Sequence, residues 1–392
     1  MRILISGASI AGPTVAWWLA RYGFTPTLVE SAPRLRTGGY VIDFWGAGYD
    51  IADRMGLLPE VQHHGYMIRE IRALAPDGQR AAGFRADAFG RALRGRFVSL
   101  PRGDLAAILH AALKGRVETL FGDSVERLDQ NQSSVRVFLR SGAIRDFDLV
   151  IGADGLHSAV RRLVFGEQSS FERYLGCKAA AFSASGYRPR DELVYVLFSE
   201  VGRQVARFSM HDDRTMFLLT WRDPDAEIPG SPDEQKSELR GIFGSSAWEC
   251  PRILGALEDA TDLYFDRVSQ IHMEPATWHL GRAALLGDAA SCVSLLAGQG
   301  SALAMVAAYI LAGELHRAQG DYSLAFTRYE QLFGPFVRGK QKAALRMASF
   351  FAPPSRFYLF LRNQAMNLMS LPGVARLAMG SGLTDKLALP AY

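Results

Sequence analysis

A glycine-rich turn near the start of the chain has the residue types of a dinucleotide-binding site. The run Gly7–Gly12 follows a short apolar stretch, and Glu30 ends the next one. Glycines in such a turn let a diphosphate approach backbone amides at a helix N-terminus, and an acid roughly 20 residues further on can accept both ribose hydroxyls. Ser9 replaces the middle glycine. The spacing favours dinucleotide binding, and the alternative is a plain strand–helix turn.

Two later motifs also place an acid where a strand should end. Asp154-Gly155 follows the apolar run Leu149–Ile151, at the sheet edge where ligands of open α/β sheets bind; the alternative is an Asp-Gly turn with Ser158 as a helix N-cap. Asp288 follows a second such run, and Gly298 to Ser301 then open a long apolar segment. Exposed amides at that helix start suit an anionic ring edge, and the Asp288 carboxylate suits sugar-like hydroxyls.

The surrounding periodicity predicts the elements that position these motifs. Strands at Arg2–Ser6 and Thr25–Glu30 flank a helix that starts at Gly12-Pro13, which gives a βαβ unit and a parallel sheet. Further elements are expected as follows: a helix at Arg102–Leu113, strands at Val117–Phe121, Ser134–Arg140, Phe147–Ile151 and Ala283–Leu286, and only helices after Gln299, with a break at Pro353-Pro354.

A second domain is expected inside the first. Tyr195–Phe198, Val205–Met210 and Met216–Trp221 have the pattern of antiparallel strands joined by polar turns. The predicted fold class is therefore α/β with an α+β insertion: a Rossmann-like domain, an inserted antiparallel sheet and C-terminal helices. The expected dinucleotide-binding domain comprises 1–72, 98–173 and 276–340, the substrate domain 73–97 and 174–275, and the helical segment 341–392.

Composition excludes several other classes of protein. The 392 residues are 48% hydrophobic and 21% charged, which excludes disorder and collagen-like repeats. The net charge is +4, and only six of the 44 basic residues are lysine; the arginines are scattered, so nucleic-acid binding is not expected. Cys177, Cys250 and Cys292 fit neither a zinc ligand pair nor a disulfide framework, which indicates a reducing compartment and no metal site.

No membrane-spanning or secreted form is expected. The most apolar stretch, Ser301–Gly313, falls short of the roughly 20 residues that a membrane helix needs and is closed by Glu314. The first residues, MRILISGAS, lack the apolar region of a signal peptide. We therefore expect a cytoplasmic protein.

The three motifs, in this order and at these separations, resemble the class A FAD-dependent monooxygenases, the family of para-hydroxybenzoate hydroxylase. The resemblance covers roughly residues 1–175 and 276–345. It implies an FAD-binding domain of Rossmann-like fold and an NAD(P)H-dependent hydroxylase. The run Gly38–Asp43 is similar to the flavin-facing loop of tetracycline-inactivating and related members, and no second glycine-rich module is present for the nicotinamide donor.

The resemblance also implies which residues contact the cofactor. Gly7, Ser9, Ile10, Ala11 and Gly12 would surround the diphosphate, Glu30 with Ser31 would bind the adenosine ribose, and Arg102 would lie on the phosphate side. The remaining contacts would be Val125 near adenine, Asp154 and Gly155 for FAD and the nicotinamide donor, Asp288 at the ribityl or diphosphate part, and Asp43, Gly298, Gly300 and Ser301 near the isoalloxazine.

Two departures from the family pattern lie after Asp288. Leu295 stands where a proline often lies over the flavin, and Val306-Ala307 replace a common acidic pair. The implied function is hydroxylation of an aromatic or polyketide-like molecule with FAD, NADPH or NADH, and O2, with no protein nucleophile. Alternatives are a flavin-dependent reductase or dehydrogenase and a non-enzymatic binding protein similar to GDP-dissociation inhibitors; a halogenase is disfavoured because its Trp-x-Trp-x-Ile-Pro segment is missing.

Candidate substrate contacts are the polar and aromatic residues Tyr195, Arg207 and Trp221 of the inserted sheet, although each has a structural alternative. His63, His64 and His211 are expected to be solvent-exposed.

The C-terminal segment from Phe336 combines aromatic residues with an excess of basic ones. Its cations, set against the single anion Asp385, are Arg338, Lys340, Lys342, Arg346, Arg356, Arg362, Arg376 and Lys386. This composition suits helices that pack on the FAD domain with their arginines in water, and the alternatives are weak contact with an anionic membrane and a cover over the substrate entrance. A monomer or a homodimer is expected.

Overall fold

The computed structural model describes residues 1–35, 40–86, 93, 95–274, 277–345, 350–370 and 387–392. The strands of these ranges are β1 Arg2–Ser6, β2 Thr25–Glu30, β3 Val41–Trp45, β4 Glu70–Leu74, β5 Arg80–Arg85, β6 Phe97–Pro101, β7 Glu118–Phe121, β8 Val125–Gln130, β9 Val135–Leu139, β10 Ile144–Phe147, β11 Leu149–Gly152, β12 Glu172–Ser185, β13 Val194–Glu200, β14 Arg203–Ser209, β15 Arg214–Arg222, β16 Tyr264–Ile271, β17 His279–Leu280 and β18 Ala283–Leu285. The helices are α1 Ala11–Arg21, α2 Ala47–Arg54, α3 Leu58–His64, α4 Arg102–Ala111, α5 Ala159–Phe165, α6 Pro232–Phe243, α7 Cys250–Glu258, α8 Asp288–Ser291, α9 Gly300–Arg317, α10 Tyr322–Ala344 and α11 Arg356–Leu368, with 3-10 turns at Gln168–Ser170 and Leu295–Ala297.

The first large sheet has six strands in the order β17-β18-β11-β1-β2-β7. All neighbours are parallel except β17 and β18. Its strands are apolar on both faces because other elements cover both sides, and Ile3, Leu4 and Ile5 of β1 have no exposed area. The predicted βαβ opening is confirmed, with β1 and β2 at the expected residues.

The apolar segment after Gln299 forms the buried helix α9. All its residues from Leu303 to Leu315 are buried, and it packs against α1 and α10 within the main core. Across the described ranges, no helix is long and apolar enough to cross a membrane.

The second large sheet has seven strands in the order β16-β12-β15-β14-β13-β4-β5. The sequence predicted a purely antiparallel sheet, and this prediction is wrong because β4 pairs parallel with β13. The two strands come from separate parts of the chain, so no hairpin fixes their relative direction. β4 begins at Glu70, three residues before the expected start of the inserted segment. The sequence analysis did not predict strands β12 and β16. It also did not predict helices α6 and α7, which cover one face of this sheet.

Two small antiparallel sheets complete the strand pairing: β8, β9 and β10 form one, and β3 with β6 forms the other. The predicted strand Phe147–Ile151 is wrong as a single element, because it spans the end of β10 and the start of β11. Asp148 turns the chain between them: its side chain accepts a hydrogen bond from the Arg2 backbone N–H, and its own N–H donates to Arg2 O.

Only helices were predicted after Gln299, but the described end of the chain, residues 387–392, is not helical. Residues 387–392 run along α9, where Leu387, Leu389 and Tyr392 pack on the main core. The Tyr392 ring occupies space left by the missing side chain of Gly313, and its hydroxyl donates to Glu314 Oε1 at 2.8 Å. Tertiary packing of a few side chains fixes this segment, which a periodicity pattern cannot reveal.

Helix α11 lies on the second large sheet, against β5 and β13. The break at Pro353-Pro354 is confirmed, since α11 begins at Arg356. The sequence suggested that Arg362 is solvent-exposed, but its side chain is buried. It is 7% exposed and donates to Ser199 Oγ at 2.8 Å and Gln204 Oε1 at 3.0 Å. Burial lowers the pKa of Arg362 to about 10. The outer face of α11 carries the exposed side chains of Phe357, Tyr358, Phe360, Leu361 and Leu368. Arg346, Arg376, Asp385 and Lys386 lie outside the described residues.

We predict that Arg362→Ala lowers the free energy of unfolding by about 2 kcal/mol, because it removes buried hydrogen bonds and leaves a cavity beneath α11. Urea denaturation followed by circular dichroism measures the change. Arg356→Ala, at an exposed position of the same helix, should change the free energy of unfolding by no more than about 0.5 kcal/mol. Equal effects of the two substitutions would show that Arg362 does not hold the helix to the sheet.

Candidate functional site

A cleft of about 820 Å³ opens at the carboxyl edge of the six-stranded sheet, a volume within the usual range for ligand sites. Thirteen of the sixteen predicted cofactor residues line it: Gly7, Ser9, Ile10, Ala11, Glu30, Ser31, Arg102, Asp154, Gly155, Asp288, Gly298, Gly300 and Ser301. The topology thus brings all three sequence motifs to one place.

The glycine turn at the base of the cleft depends on backbone packed against backbone. Gly7 has φ +104°, and a Cβ there would lie 2.4 Å from Ala153 O. A Cβ at Gly12 would lie 1.9 Å from Gly7 O, so Gly12 does not line the cleft but allows α1 to start behind the turn. The first turn of α1 has no side-chain cap, and its free N–H groups suit an anion.

Glu30 joins the two loops on one side of the cleft. Its Oε2 accepts from the Ala8 backbone N–H at 2.9 Å, and its Oε1 accepts from the Ala32 backbone N–H at 2.9 Å. Its Oε1 also accepts from the Ser31 hydroxyl at 3.3 Å. A carboxylate offers about four acceptor positions, so one position of Glu30 stays open for a ligand hydroxyl.

Asp154 serves the turn that contains it. Its carboxylate accepts from the Ser6 hydroxyl at 3.2 Å, the Ser158 hydroxyl and the Val160 backbone N–H at 3.1 Å, and burial raises its pKa. Ser158 also caps α5, as the alternative interpretation of this motif expected. The capped turn is itself part of the cleft wall, so the cap is compatible with the predicted contact to a ligand, which stays a prediction.

Arg161, three residues after that cap, was missed by the sequence analysis. It is fully buried and donates to Ala289 O at 2.9 Å and to Leu156 O at 2.6 Å. The second motif is thereby tied to the loop of the third. An arginine at an otherwise apolar helix position was the available signal.

Asp288 lies at the N-terminal end of α9. A Cβ on Gly300 would be 3.8 Å from Asp288 Oδ1, so the carboxylate sits close to the helix start. Burial raises the pKa of Asp288, and the Arg102 guanidinium opposes that shift. Leu295, which replaces the family's proline, lines the cleft directly after Ser294, whose φ is +104°.

Two tyrosines face the cleft from the other side: Tyr40 belongs to the predicted flavin-facing run Gly38–Asp43, and Tyr264 was not singled out by the sequence analysis. Tyr40 precedes β3 and Tyr264 begins β16; their rings meet edge to face with centroids 5.8 Å apart. Burial raises the pKa of Tyr40 to about 12 and also raises that of Tyr264. Both therefore stay protonated hydroxyl donors near neutral pH.

Of the three substrate candidates, Tyr195 alone faces the first domain. Arg207 and Trp221 do not lie on the expected flavin-facing side, because side chains alternate along a strand and these two project to the opposite face. Arg207 is buried there against Asp191 and Glu249, and Trp221 packs on Phe243 of α6. The sequence could not tell which face of the sheet the helices α6 and α7 cover.

Two predicted cofactor contacts also lie away from the cleft wall. Val125 is 4% exposed in the core, and its neighbours Asp123 and Ser124 line the cleft instead. Asp43 points to the opposite face of β3 and accepts from Ser99 and Tyr195. Gly38 and Gly39 of the same predicted loop lie outside the described residues.

The three histidines that the sequence analysis expected to be exposed do not line the cleft, whereas His157 lines it and the Cys292 thiol lies beside the Asp288 carboxylate. His63 and His211 are exposed, and His64 is partly exposed and pairs with Glu60 at 3.2 Å. All three cysteines are buried free thiols.

Comparison with known proteins decides the family. A family model described as an FAD binding domain matches residues 1–321. A flavin-dependent monooxygenase of Legionella longbeachae is 33% identical, and the match covers 100% of this chain and 98% of that protein. The chain belongs to the family of FAD-dependent monooxygenases. Among solved structures, tetracycline destructase Tet(51) gives a TM-score of 0.84 at 32% identity, covering 100% of this chain and 99% of that one. HpxO of Klebsiella pneumoniae, complexed with FAD and uric acid, shares the fold of this monooxygenase with a TM-score of 0.79 at 22% identity, covering 99% and 96%.

The cleft of this monooxygenase fits FAD by the chemistry of its residues. The free N–H groups of α1 suit a diphosphate, and Glu30 keeps an acceptor position for a ribose hydroxyl. At the other end, Asp288 and the uncapped start of α9 would meet the hydroxyl chain and the anionic ring edge.

We predict that Asp288→Ala weakens FAD binding by about 10- to 150-fold, because a hydrogen bond to a charged group contributes about 1.5–3 kcal/mol. Quenching of flavin fluorescence during titration of the apoprotein gives the dissociation constant. Asp259→Ala changes an exposed aspartate of another element and serves as control. An unchanged dissociation constant for the Asp288 variant would contradict the assigned role.

A second prediction concerns the ion pair between His157 and Asp266, which joins the α5 turn to β16 at 2.9 Å. Asp266 raises the pKa of His157, so the pair stabilises the fold fully below the unfolded pKa of about 6.5 and loses this effect as pH rises through the higher folded pKa. His157→Asn should therefore lower the free energy of unfolding at about pH 5.5, by less than about 1 kcal/mol since the ring is half exposed, but not at about pH 9.

Urea titrations at the two pH values measure this difference, with His63→Asn as an exposed control. A destabilisation that grows with pH would have the wrong sign for this ion pair.

Proposed function

We propose that this monooxygenase uses NADH or NADPH and O2 to hydroxylate an aromatic or polyketide-like small molecule. The observation that carries the proposal is the cleft of FAD-binding chemistry, which Tyr40 and Tyr264 line from the side of the second large sheet. Beside the cleft, between β3 and the second large sheet, Tyr66, Phe97, Phe208 and Met216 form a buried cluster of aromatic and apolar side chains. The 32% identity to a tetracycline destructase supports a polycyclic substrate for this chain as well.

Each group of the cleft has one task in this proposal. The N-terminus of α1 binds the diphosphate, Glu30 holds the ribose, and the start of α9 favours negative charge on the ring system. Tyr40 and Tyr264 close the opposite wall and limit the entry of water. When bound, FAD supplies the redox chemistry between the nicotinamide donor and O2.

The nicotinamide donor binds transiently. The sequence has one glycine-rich dinucleotide turn, which the FAD diphosphate takes, and the Asp154-Gly155 turn offers the donor a place at the cleft edge. We assign residues 1–72, 98–173 and 276–340 to FAD binding, 73–97 and 174–275 to the substrate side, and 341–392 to the C-terminal segment. A cytoplasmic location, a monomeric or homodimeric state and membrane contact by that segment stay predictions.

We predict that the purified protein is yellow and oxidises NADH or NADPH slowly alone and faster with an accepted phenol, because substrate binding excludes water from the reacting centre. Mass spectrometry after reaction under labelled O2 should find one labelled oxygen atom in the product. A product that is reduced or dehydrogenated and carries no label would instead establish the reductase or dehydrogenase alternative.

A further inference from the structure

Helix α11 is attached to the second large sheet largely through polar side chains. Its two buried residues are Arg362 and Met366. Arg362 donates to polar side chains of β13 and β14, and Asn367 Oδ1 accepts from the Gly83 backbone N–H at 3.1 Å. A helix that only packs on a core turns its apolar stripe towards that core. In α11 most of the large apolar side chains face away from the protein instead.

These outward side chains form a continuous apolar ridge. Phe357, Leu361 and Leu368 have the i, i+4, i+11 spacing of one helix face, and Tyr358 and Phe360 flank them. The five side chains are between 45% and 65% exposed. Single exposed apolar side chains are ordinary, but a contiguous patch of them marks an interaction site. Among the described residues that line the cofactor cleft, none belongs to α11, so the cleft does not account for the ridge.

The helix and the strand beneath it carry only positive charges. Neither α11 nor β5, on which it packs, contains an acidic residue. Arg356 at the first position of α11 is exposed, as are Arg80 and Arg85 of β5. A cation at a helix N-terminus adds to the positive end of the helix dipole instead of offsetting it, so helix stability does not explain Arg356. The ridge and these cations together complement a surface that is both apolar and negatively charged.

We propose that the apolar ridge of α11 binds the surface of an anionic lipid bilayer. The helix has 13 residues, too few to span a bilayer, and lies parallel to its plane. Phe357, Leu361 and Leu368 enter the boundary between headgroups and acyl chains, the Tyr358 hydroxyl stays at headgroup level, and Arg356 meets the negative headgroups.

A second copy of the chain fits this surface less well. A two-fold interface through α11 would place the helix against its own copy. The cations of α11 and β5 would then meet with no acid on either element to pair with them, and like charges at an interface oppose association.

This inference does not depend on the monooxygenase chemistry, so its test measures vesicle binding and needs no turnover. The FAD-loaded whole chain is sedimented with vesicles of phosphatidylcholine alone, or with phosphatidylcholine that contains about 30% phosphatidylserine, over a series of NaCl concentrations.

The unmodified protein should bind the anionic vesicles at least about tenfold more tightly than the neutral ones, and added salt should weaken this binding because it screens charge. Phe357→Gln combined with Leu361→Gln should weaken binding about tenfold or more, because two apolar side chains leave the contact. Arg356→Gln should weaken binding to anionic vesicles about fivefold and leave binding to neutral vesicles unchanged. The matched control is Leu324→Gln combined with Leu332→Gln, at two similarly exposed positions of α10, and should change nothing.

FAD content and circular dichroism of each variant show whether it has folded, and Leu368→Gln gives a second reading if the Phe357 and Leu361 double variant misfolds. A protein that stays in the supernatant with anionic vesicles, or a double variant that binds as tightly as the unmodified protein, would overturn the inference. A dimer in sedimentation velocity that this double variant dissociates, without vesicle binding, would assign the ridge to a second copy instead. Each of these results can occur while labelled oxygen still enters product, so failure of the inference is distinguishable from failure of the proposed function.

Discussion

Contact between backbone segments at Gly7, Gly12 and Ala153 is the constraint on which the site depends. The ends of β1 and β11 and the start of α1 meet there without room for a Cβ at either glycine. Only this approach aims the free N–H groups of α1 into the cleft, with Glu30 beside them. Arg161 then joins the Asp154 turn to the Asp288 loop, so the three motifs act as one unit.

The second constraint is the alternation of side chains along β3. Ile42 and Phe44 point into the first core, whereas Val41, Asp43 and Trp45 point towards the aromatic cluster beneath the second sheet. One strand therefore lies between the core of the first domain and that cluster. The same rule places Arg207 and Trp221 away from the cluster, because they lie on the face that α6 and α7 cover.

Local sequence patterns could predict the motifs, but not which face of a strand or helix each side chain occupies in the fold. β1, β2 and the cap at Ser158 follow from apolar runs and a polar residue before a helix, so they were found at their residues. The burial of Arg362, the path of residues 387–392 and the parallel pairing of β4 with β13 depend on contacts between distant segments. For the same reason Tyr264 was missed: nothing near it in the sequence shows that it meets Tyr40 of the predicted flavin-facing run.

A crystal structure of the protein with FAD tests the central claim most directly. We expect the diphosphate at the start of α1, the adenosine ribose at Glu30 and the ring system at Gly298 to Ser301, with Asp43 on the far side of β3 from the diphosphate. FAD bound outside this cleft, or with its ring system distant from α9, would contradict the assignment of the site.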